Sequence, residues 1–145
     1  VLSQKEFLAE IYPSKGVLTR RKPSKKEIED IEFGLPIARK LADMEIGQTL
    51  IVKNKTVIAV EAFEGTDKAI KRGCELAKDN CVVIKVSRTN QDYRYDSPGI
   101  GPKTIKTLIA GGASVLALEA ERVMAVEQEK LIEMANEAKL TITCI

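Results

Sequence analysis

Two hydrophobic periods alternate along this chain, and that alternation limits the folds open to it. Short apolar runs recur, each too short for a helix: Thr49-Leu50-Ile51-Val52, the start of 81–86, then 115–119 and 141–145. Between them lie stretches with apolar residues at helical spacing. Ile28, Ile31, Leu35, Ala38 and Leu41 predict a helix over 25–44, and Ala69, Ile70, Gly73, Cys74 and Ala77 predict a second. A third is expected from Pro102 to Gly111-Gly112, and a fourth over 127–138 through Leu131, Met134, Ala135 and Ala138. Strands alternating with helices specify an α/β layer fold. Residues 48–53 and 56–61 flank the two-residue turn Asn54-Lys55, which suits a β-hairpin. The expected fold is therefore α/β, a mixed β-sheet with a β-hairpin and flanking helices.

Local signals refine the boundaries. Ser24-Lys25-Lys26-Glu27 fits a capping box, in which the Ser24 hydroxyl and Glu27 carboxylate satisfy orphan N–H groups reciprocally. Gly34 and Pro36 predict a kink or break in the helix that follows. Thr66 or Asp67 is the expected cap of the second helix, and Pro102 suits the first position of the third. A short strand is expected over 122–126. Apolar residues at Leu2, Phe7, Leu8 and Ile11 suggest a helix over 1–11. The chain opens on Val1 within that pattern, which fits either a removed initiator Met or a piece of a longer protein.

The 145 residues suffice for one domain with a core. Residues 1–24, with Lys15, Arg20, Arg21 and Lys22 among Pro13, Gly16 and Pro23, read as a connector and basic loop. Lys and Arg total 23 against 21 Asp and Glu, a net charge of +2. That balance implies neither nucleic acid nor an acidic partner. No apolar run approaches the ~18 residues that suggest a membrane span, and no basic-then-apolar leader is present, so a cytoplasmic location is expected. Cys74, Cys81 and Cys144 match no zinc spacing and read as buried reduced thiols. The sequence has no histidine. Ser-His and Cys-His catalysis are thereby removed, leaving carboxylates, Lys, Tyr or a metal.

The longest aperiodic stretch lies between the strand at 81–86 and the helix at Pro102. A loop of this length in a small domain is usually functional or disordered, and its tyrosines and Pro-Gly-x-Gly-Pro turn favour a defined path. Three acidic clusters stand where strands end: Glu61 with Glu64 and Asp67, Asp92 with Asp96, and Glu119 with Glu121. Ligands of open α/β sheets bind outside the carboxyl ends of strands, so the 61–67, 87–102 and 119–122 segments are expected along one sheet edge. An oxygen-only donor set there suits Mg²⁺ or Mn²⁺. Lys85, Arg88, Arg94 and Lys103 could meet phosphate oxygens, and helix N-termini at Thr66 and Lys103 add N–H donors. Against this stands the plainer reading of helix caps and surface ion pairs.

The segment from Pro98 to Thr104 also resembles the hairpin of a helix-hairpin-helix DNA-binding motif. Residues 91–97 carry no apolar helical stripe, however, and Gly111-Gly112 leads into a strand, so nucleic acid is not the expected partner. A module that only grips a nucleotide remains the alternative.

Several strings carry a family resemblance: Gly16-Val17-Leu18-Thr19-Arg20-Arg21-Lys22-Pro23; Asp43 with Ile46, Gly47 and Gln48; Ala59-Val60-Glu61-Ala62-Phe63-Glu64-Gly65-Thr66-Asp67; and Gln91-Asp92-Tyr93-Arg94-Tyr95-Asp96-Ser97-Pro98-Gly99-Ile100-Gly101. Together they make the chain similar to the C-terminal domain of the metal-dependent UDP-2,3-diacylglucosamine pyrophosphatases of lipid A biosynthesis, the type unrelated to calcineurin-like phosphoesterases. The resemblance implies an N-terminal α/β domain as partner, with substrate held between the two. It implies hydrolysis of the sugar-nucleotide pyrophosphate to UMP and acylated sugar 1-phosphate. On that reading Asp92 and Asp96 lead as metal ligands or water-activating groups, with Glu61, Glu64 and Asp67 behind them. Thr19, Arg20, Thr66, Lys85, Arg94 and Lys103 are the expected phosphate-binding residues. The cofactor would be Mg²⁺ or Mn²⁺, the location cytoplasmic or peripheral at the inner membrane, and a homodimer stays open.

Overall fold

The computed structural model describes residues 11–90 and 98–145. Along them run β1 (Gly16–Val17), α1 (Lys25–Asp43), β2 (Thr49–Lys53), β3 (Thr56–Val60), α2 (Thr66–Ala77), β4 (Val82–Lys85) and β5 (Gly99–Ile100). They continue with α3 (Pro102–Gly111), β6 (Val115–Leu118), β7 (Met124–Ala125), α4 (Gln128–Ala138) and β8 (Thr141–Cys144). Six strands form one sheet in the order β1-β8-β6-β4-β2-β3, and β5 pairs with β7 apart from it. The β8, β6 and β4 strands are parallel, while β1, β2 and β3 join antiparallel to their neighbours. The expected α/β fold with a mixed sheet and hairpin is the one observed.

The central strands are buried on both faces, which explains their unbroken apolar runs. On one face, Leu50, Val52, Val82, Ile84, Val115 and Ala117 pack against Ile31, Ala38 and Ala42 of α1. On the other, Ile51, Val83, Leu116, Leu118 and Ile142 pack against Ile70 and Cys74 of α2, Ile105 and Leu108 of α3, and Leu131 and Ala135 of α4. All three cysteines are buried free thiols, as expected. The Cys74 and Cys81 sulfurs lie 3.5 Å apart, and burial pushes the Cys144 thiol up to about 11.

The capping box forms as expected, with Glu27 N–H donating to Ser24 Oγ at 3.2 Å and Ser24 N–H to Glu27 Oε1 at 2.8 Å. Of the expected kink or break at Gly34 and Pro36, the break does not occur; α1 continues as helix past both. Pro36 faces solvent, where water can serve the carbonyl its missing N–H leaves unpaired. Gly34 faces the sheet, where a Cβ would stand 2.5 Å from Ile84 Cδ1. Its lack of a side chain permits the close approach of α1 to the sheet. The Asn54-Lys55 turn has φ of 54° and 53°, the left-handed pair of a type I′ hairpin. The buried Asp30 carboxylate of α1 holds it, accepting from Lys55 N–H at 2.8 Å and Asn54 N–H at 3.3 Å.

Other departures are local. The cap of α2 is Gly65 at φ 90°, not Thr66 or Asp67, which occupy the first two helical positions. The 122–126 strand is confined to Met124–Ala125, pairing in parallel with Gly99–Ile100. The Pro98–Thr104 segment is thus a corner from strand to helix. Of the expected connector, residues 16–17 instead pair with β8 as an edge strand. The expected 1–11 helix lies almost wholly outside the described residues.

Candidate active site

Strand direction gathers the site. The carboxyl ends of β4, β6 and β8 share one edge because these strands are parallel. The β3 strand ends there too: Leu50 pairs with Val60 and with Ile84, so β3 runs alongside β4 in the same sense. Glu61, Lys85, Ser87 and Glu119 therefore emerge along one edge, as the sequence led us to expect.

Lys85 ends β4 buried, and its ammonium donates to Thr66 Oγ1 at 2.6 Å. Thr66 in turn donates to Glu61 Oε1 at 3.3 Å. Cross-strand from Lys85 stands Thr49, whose buried hydroxyl has no hydrogen-bond partner among the described residues. Next along α2, Asp67 accepts from the Thr104 hydroxyl at 2.8 Å. That bond ties the N-terminus of α2 to that of α3. Both helices begin from a glycine, Gly65 and Gly101, with no side-chain cap. No side chain caps the first-turn N–H groups of α2; in α3, Pro102 has no N–H and Thr104 N–H donates to the Gly101 carbonyl at 3.1 Å, which leaves the Lys103 N–H as its donor to an anion. Lys103 is exposed in the first turn of α3.

A second polar network adjoins the first. The buried Glu119 carboxylate accepts from Ser87 N–H and from Arg39 Nε, each at 3.0 Å. Arg122 donates to the carbonyls of Arg88 and Thr89 at 2.6 and 3.1 Å. Asp43 accepts from Thr89 N–H at 2.7 Å and its hydroxyl at 2.8 Å, and these two bonds hold its carboxyl below the usual range. Arg88 pairs with Glu45 at 2.7 Å. The sequence had marked Glu119 as an acid at a strand end, but gave no sign of Arg39 or Asp43 reaching this edge.

The remaining expected site residues are distributed unevenly. Asp92, Arg94 and Asp96 lie outside the described residues. Glu64 is engaged by Arg72 at 3.0 Å and by Ala62 N–H at 3.3 Å. Those bonds, the Arg72 one foremost, lower its carboxyl. Thr19 and Arg20 are not brought to this edge. β1 runs antiparallel to β8, so 19–22 emerge at the opposite end, where Arg21 donates to Thr141 Oγ1 and the Ser114 carbonyl. The Thr19 hydroxyl is occupied there, donating to the Arg21 carbonyl and accepting from Ile142 N–H. Arg20 borders a groove with Glu129, Glu133 and Glu137, acids that oppose a phosphate.

Among the described residues, no three His, Cys, Asp or Glu side chains gather closely enough to hold a metal ion. Glu64 and Glu119 are committed to arginines. Glu61 and Asp67 alone fall short of the donor set a hard cation requires. The described carboxylates thus do not by themselves fit Mg²⁺.

The fold is an α/β domain in which a buried lysine and the starts of α2 and α3 lie at the carboxyl edge of the sheet. Residues 14–143 match the model of the LpxI C-terminal domain, and the chain belongs to that family. It is similar to the UDP-2,3-diacylglucosamine pyrophosphatase LpxI of Caulobacter vibrioides, with 30% identity over 145 residues, 94% of this chain and 52% of that protein. The chain spans about half the length of that curated relative. No helix among the described residues is long and apolar enough to cross a membrane.

Proposed function

We propose that the full-length protein hydrolyses the pyrophosphate of a UDP-2,3-diacylglucosamine, releasing UMP and the acylated glucosamine 1-phosphate. The observation that carries this reading is the junction of Lys85 and Thr66 beside the Gly65 and Gly101 helix starts. A pyrophosphate presents negative oxygens on two phosphorus atoms. Lys85, Lys103 and the first-turn N–H groups of α2 are suited to hold them, with Arg94 as a further base. In the reaction a water oxygen bonds to one phosphorus and the bridging P–O bond breaks. The bridging oxygen leaves on the other phosphate with the electron pair, and a carboxylate takes the water's proton. Asp92 or Asp96 is the proposed acceptor.

Because the described carboxylates fall short of a metal site, Asp92 and Asp96 would have to supply the ligands for Mg²⁺ or Mn²⁺. Such an ion neutralises pyrophosphate charge and lowers the pKa of bound water. An N-terminal domain of the same chain is the proposed partner, closing over this edge.

The deciding experiment is UMP release by the full-length protein from UDP-2,3-diacylglucosamine, with Mg²⁺ and then with a chelator. Asp92→Asn and Asp96→Asn should each reduce turnover by roughly 10²-fold or more, the scale of losing a preorganised electrostatic contact. Asp67→Asn retains an oxygen to accept from Thr104, so its activity should survive. Full activity in both loop variants with loss in Asp67→Asn would move the chemistry to the 61–67 turn. Nucleotide binding with no release of UMP would leave a binding module in place of an enzyme.

A further inference from the structure

Helices α2 and α3 lie side by side and are held to each other at both ends. Toward their C-termini, a Cβ on Gly111 would stand 2.5 Å from Cys74 Cβ, so the missing side chain lets α3 come close. At their N-termini, the Thr104 hydroxyl donates to Asp67 Oδ1 at 2.8 Å. That bond joins the third residue of α3 to the second of α2, and Thr104 is buried.

The Asp67–Thr104 bond thereby sets the spacing of two seats for anionic oxygens. The first is the start of α2, where the uncapped first-turn N–H groups stand beside the buried Lys85 ammonium. Thr49 lies cross-strand from Lys85, and its buried hydroxyl has no hydrogen-bond partner among the described residues. A buried hydroxyl left unpaired calls for a partner, and a phosphate in this seat supplies one, directly or through a water. The second seat is Lys103, the neighbour of Thr104, with its backbone N–H and its exposed side chain.

We infer that Thr104 is a positioning residue for a diphosphate: through Asp67 it holds Lys103 where two linked phosphates, but not one, engage both seats. The inference rests on the reading of this edge as a pyrophosphate site and adds what sets its selectivity. Once the first phosphate is seated, the second binds intramolecularly, and that gain is lost when geometry forbids simultaneous contact. Thr104 need not touch either phosphate; it acts through the placement of α3. Pyrophosphate also carries more charge than phosphate and favours any basic surface. Thr104→Val changes no charge, so it separates spacing from charge.

The test is calorimetric binding of inorganic pyrophosphate and of inorganic phosphate to the full-length protein, with a chelator present. Wild type should prefer pyrophosphate by about 10-fold or more. Thr104→Val should weaken pyrophosphate by about 10-fold and phosphate by less than about 2-fold. Thr104→Ser keeps the hydroxyl and should restore the preference. Asp67→Ala breaks the same bond from the other side and keeps the test open if Thr104→Val folds poorly. It also removes a negative charge, which by charge alone would favour pyrophosphate, so a reduced preference there comes from spacing. An unchanged preference in both variants, losses of equal size for the two anions, or no binding of either by wild type would overturn the inference. If wild type releases no UMP from UDP-2,3-diacylglucosamine while the preference falls as expected, the functional reading fails and the spacing role stands. UMP release with the preference unchanged in both variants sinks the spacing role alone.

Discussion

The Lys85 ammonium donates to the Thr66 hydroxyl at 2.6 Å, joining the last residue of β4 to the first of α2. A lysine at the end of a buried strand would normally reach for water. Here its charge is directed along the sheet edge, toward the uncapped start of a helix whose dipole already favours an anion.

Replacing Thr66 with Val removes the acceptor and keeps the shape. In the full-length protein KM for the UDP-sugar should rise by about 10-fold, the effect of roughly 1.4 kcal/mol of lost positioning. The folding cost should stay near the ~1.5–3 kcal/mol of a lost hydrogen bond to a charged group. Thr66→Ser should behave like wild type. Steady-state kinetics and urea denaturation of the three proteins check this, and equal KM values would remove Thr66 from the site.

The strands that position this junction were legible because β2, β4 and β6 each carry a continuous apolar run, Leu50–Val52, Val82–Ile84 and Val115–Leu118, a pattern set by burial on both faces. The two-residue strands β1 and β5 were not, since two residues carry no period, and β7 was expected only as a longer strand over 122–126. Pro36 does not break α1, because the cost of a helical proline depends on which face it occupies, and the sequence does not say. Gly65 was missed as a cap because Thr66 and Asp67 are better cap formers. In the fold their side chains are drawn instead to Lys85, Glu61 and Thr104. Of the acids at strand ends, those after β3 and β6 lie along one edge as expected, and Asp92 and Asp96 lie outside the described residues. The basic 19–22 loop was not, because the antiparallel pairing of β1 carries it to the far end, and nothing local reveals that pairing.

Acid should loosen the domain through Glu27. Burial raises its carboxyl, but the Arg21 pair and the Ser24 N–H more than offset this and leave it below the ordinary 4.5. A carboxyl depressed in the folded state contributes stability above its unfolded pKa, lost as pH falls through the folded value. Denaturation midpoints should therefore fall from pH 5 downward, and fall less steeply in Glu27→Gln, which starts lower at pH 7. Parallel curves for the two proteins would exclude Glu27 as the source.

Gly47 presses against the backbone of Glu61: a Cβ at this position would collide with the Glu61 carbonyl oxygen. A side-chain obstacle could rotate away, but backbone at the end of β3 cannot. Gly47→Ala should cost at least ~2 kcal/mol, at the upper part of the range for overpacking. Gly101→Ala is the control, because no described residue stands within 4 Å of a Cβ there and its φ is −137°. Urea midpoints for both should separate them clearly; equal midpoints would mean that the 44–48 turn gives way without cost.

The last expectation concerns residues 1–145 produced alone. Both faces of the sheet are covered from within, by α1 on one side and by α2, α3 and α4 on the other. The segment should therefore unfold in one cooperative step by circular dichroism, with no further domain needed to complete a core. Catalysis is a different matter. The curated relative is about twice as long as the segment it shares with this chain, and phosphoryl-transfer rates depend largely on positioning and electrostatic enclosure. A site with one wall removed keeps its bases and helix starts but not its grip on the sugar. UMP should still bind weakly, observable as small shifts at Lys85 and Thr66 in an NMR titration. Turnover should be lower than that of the full-length protein by about 10²-fold or more. Comparable turnover by the two would place the whole catalytic apparatus on this one sheet edge and leave the proposed N-terminal partner without a catalytic part.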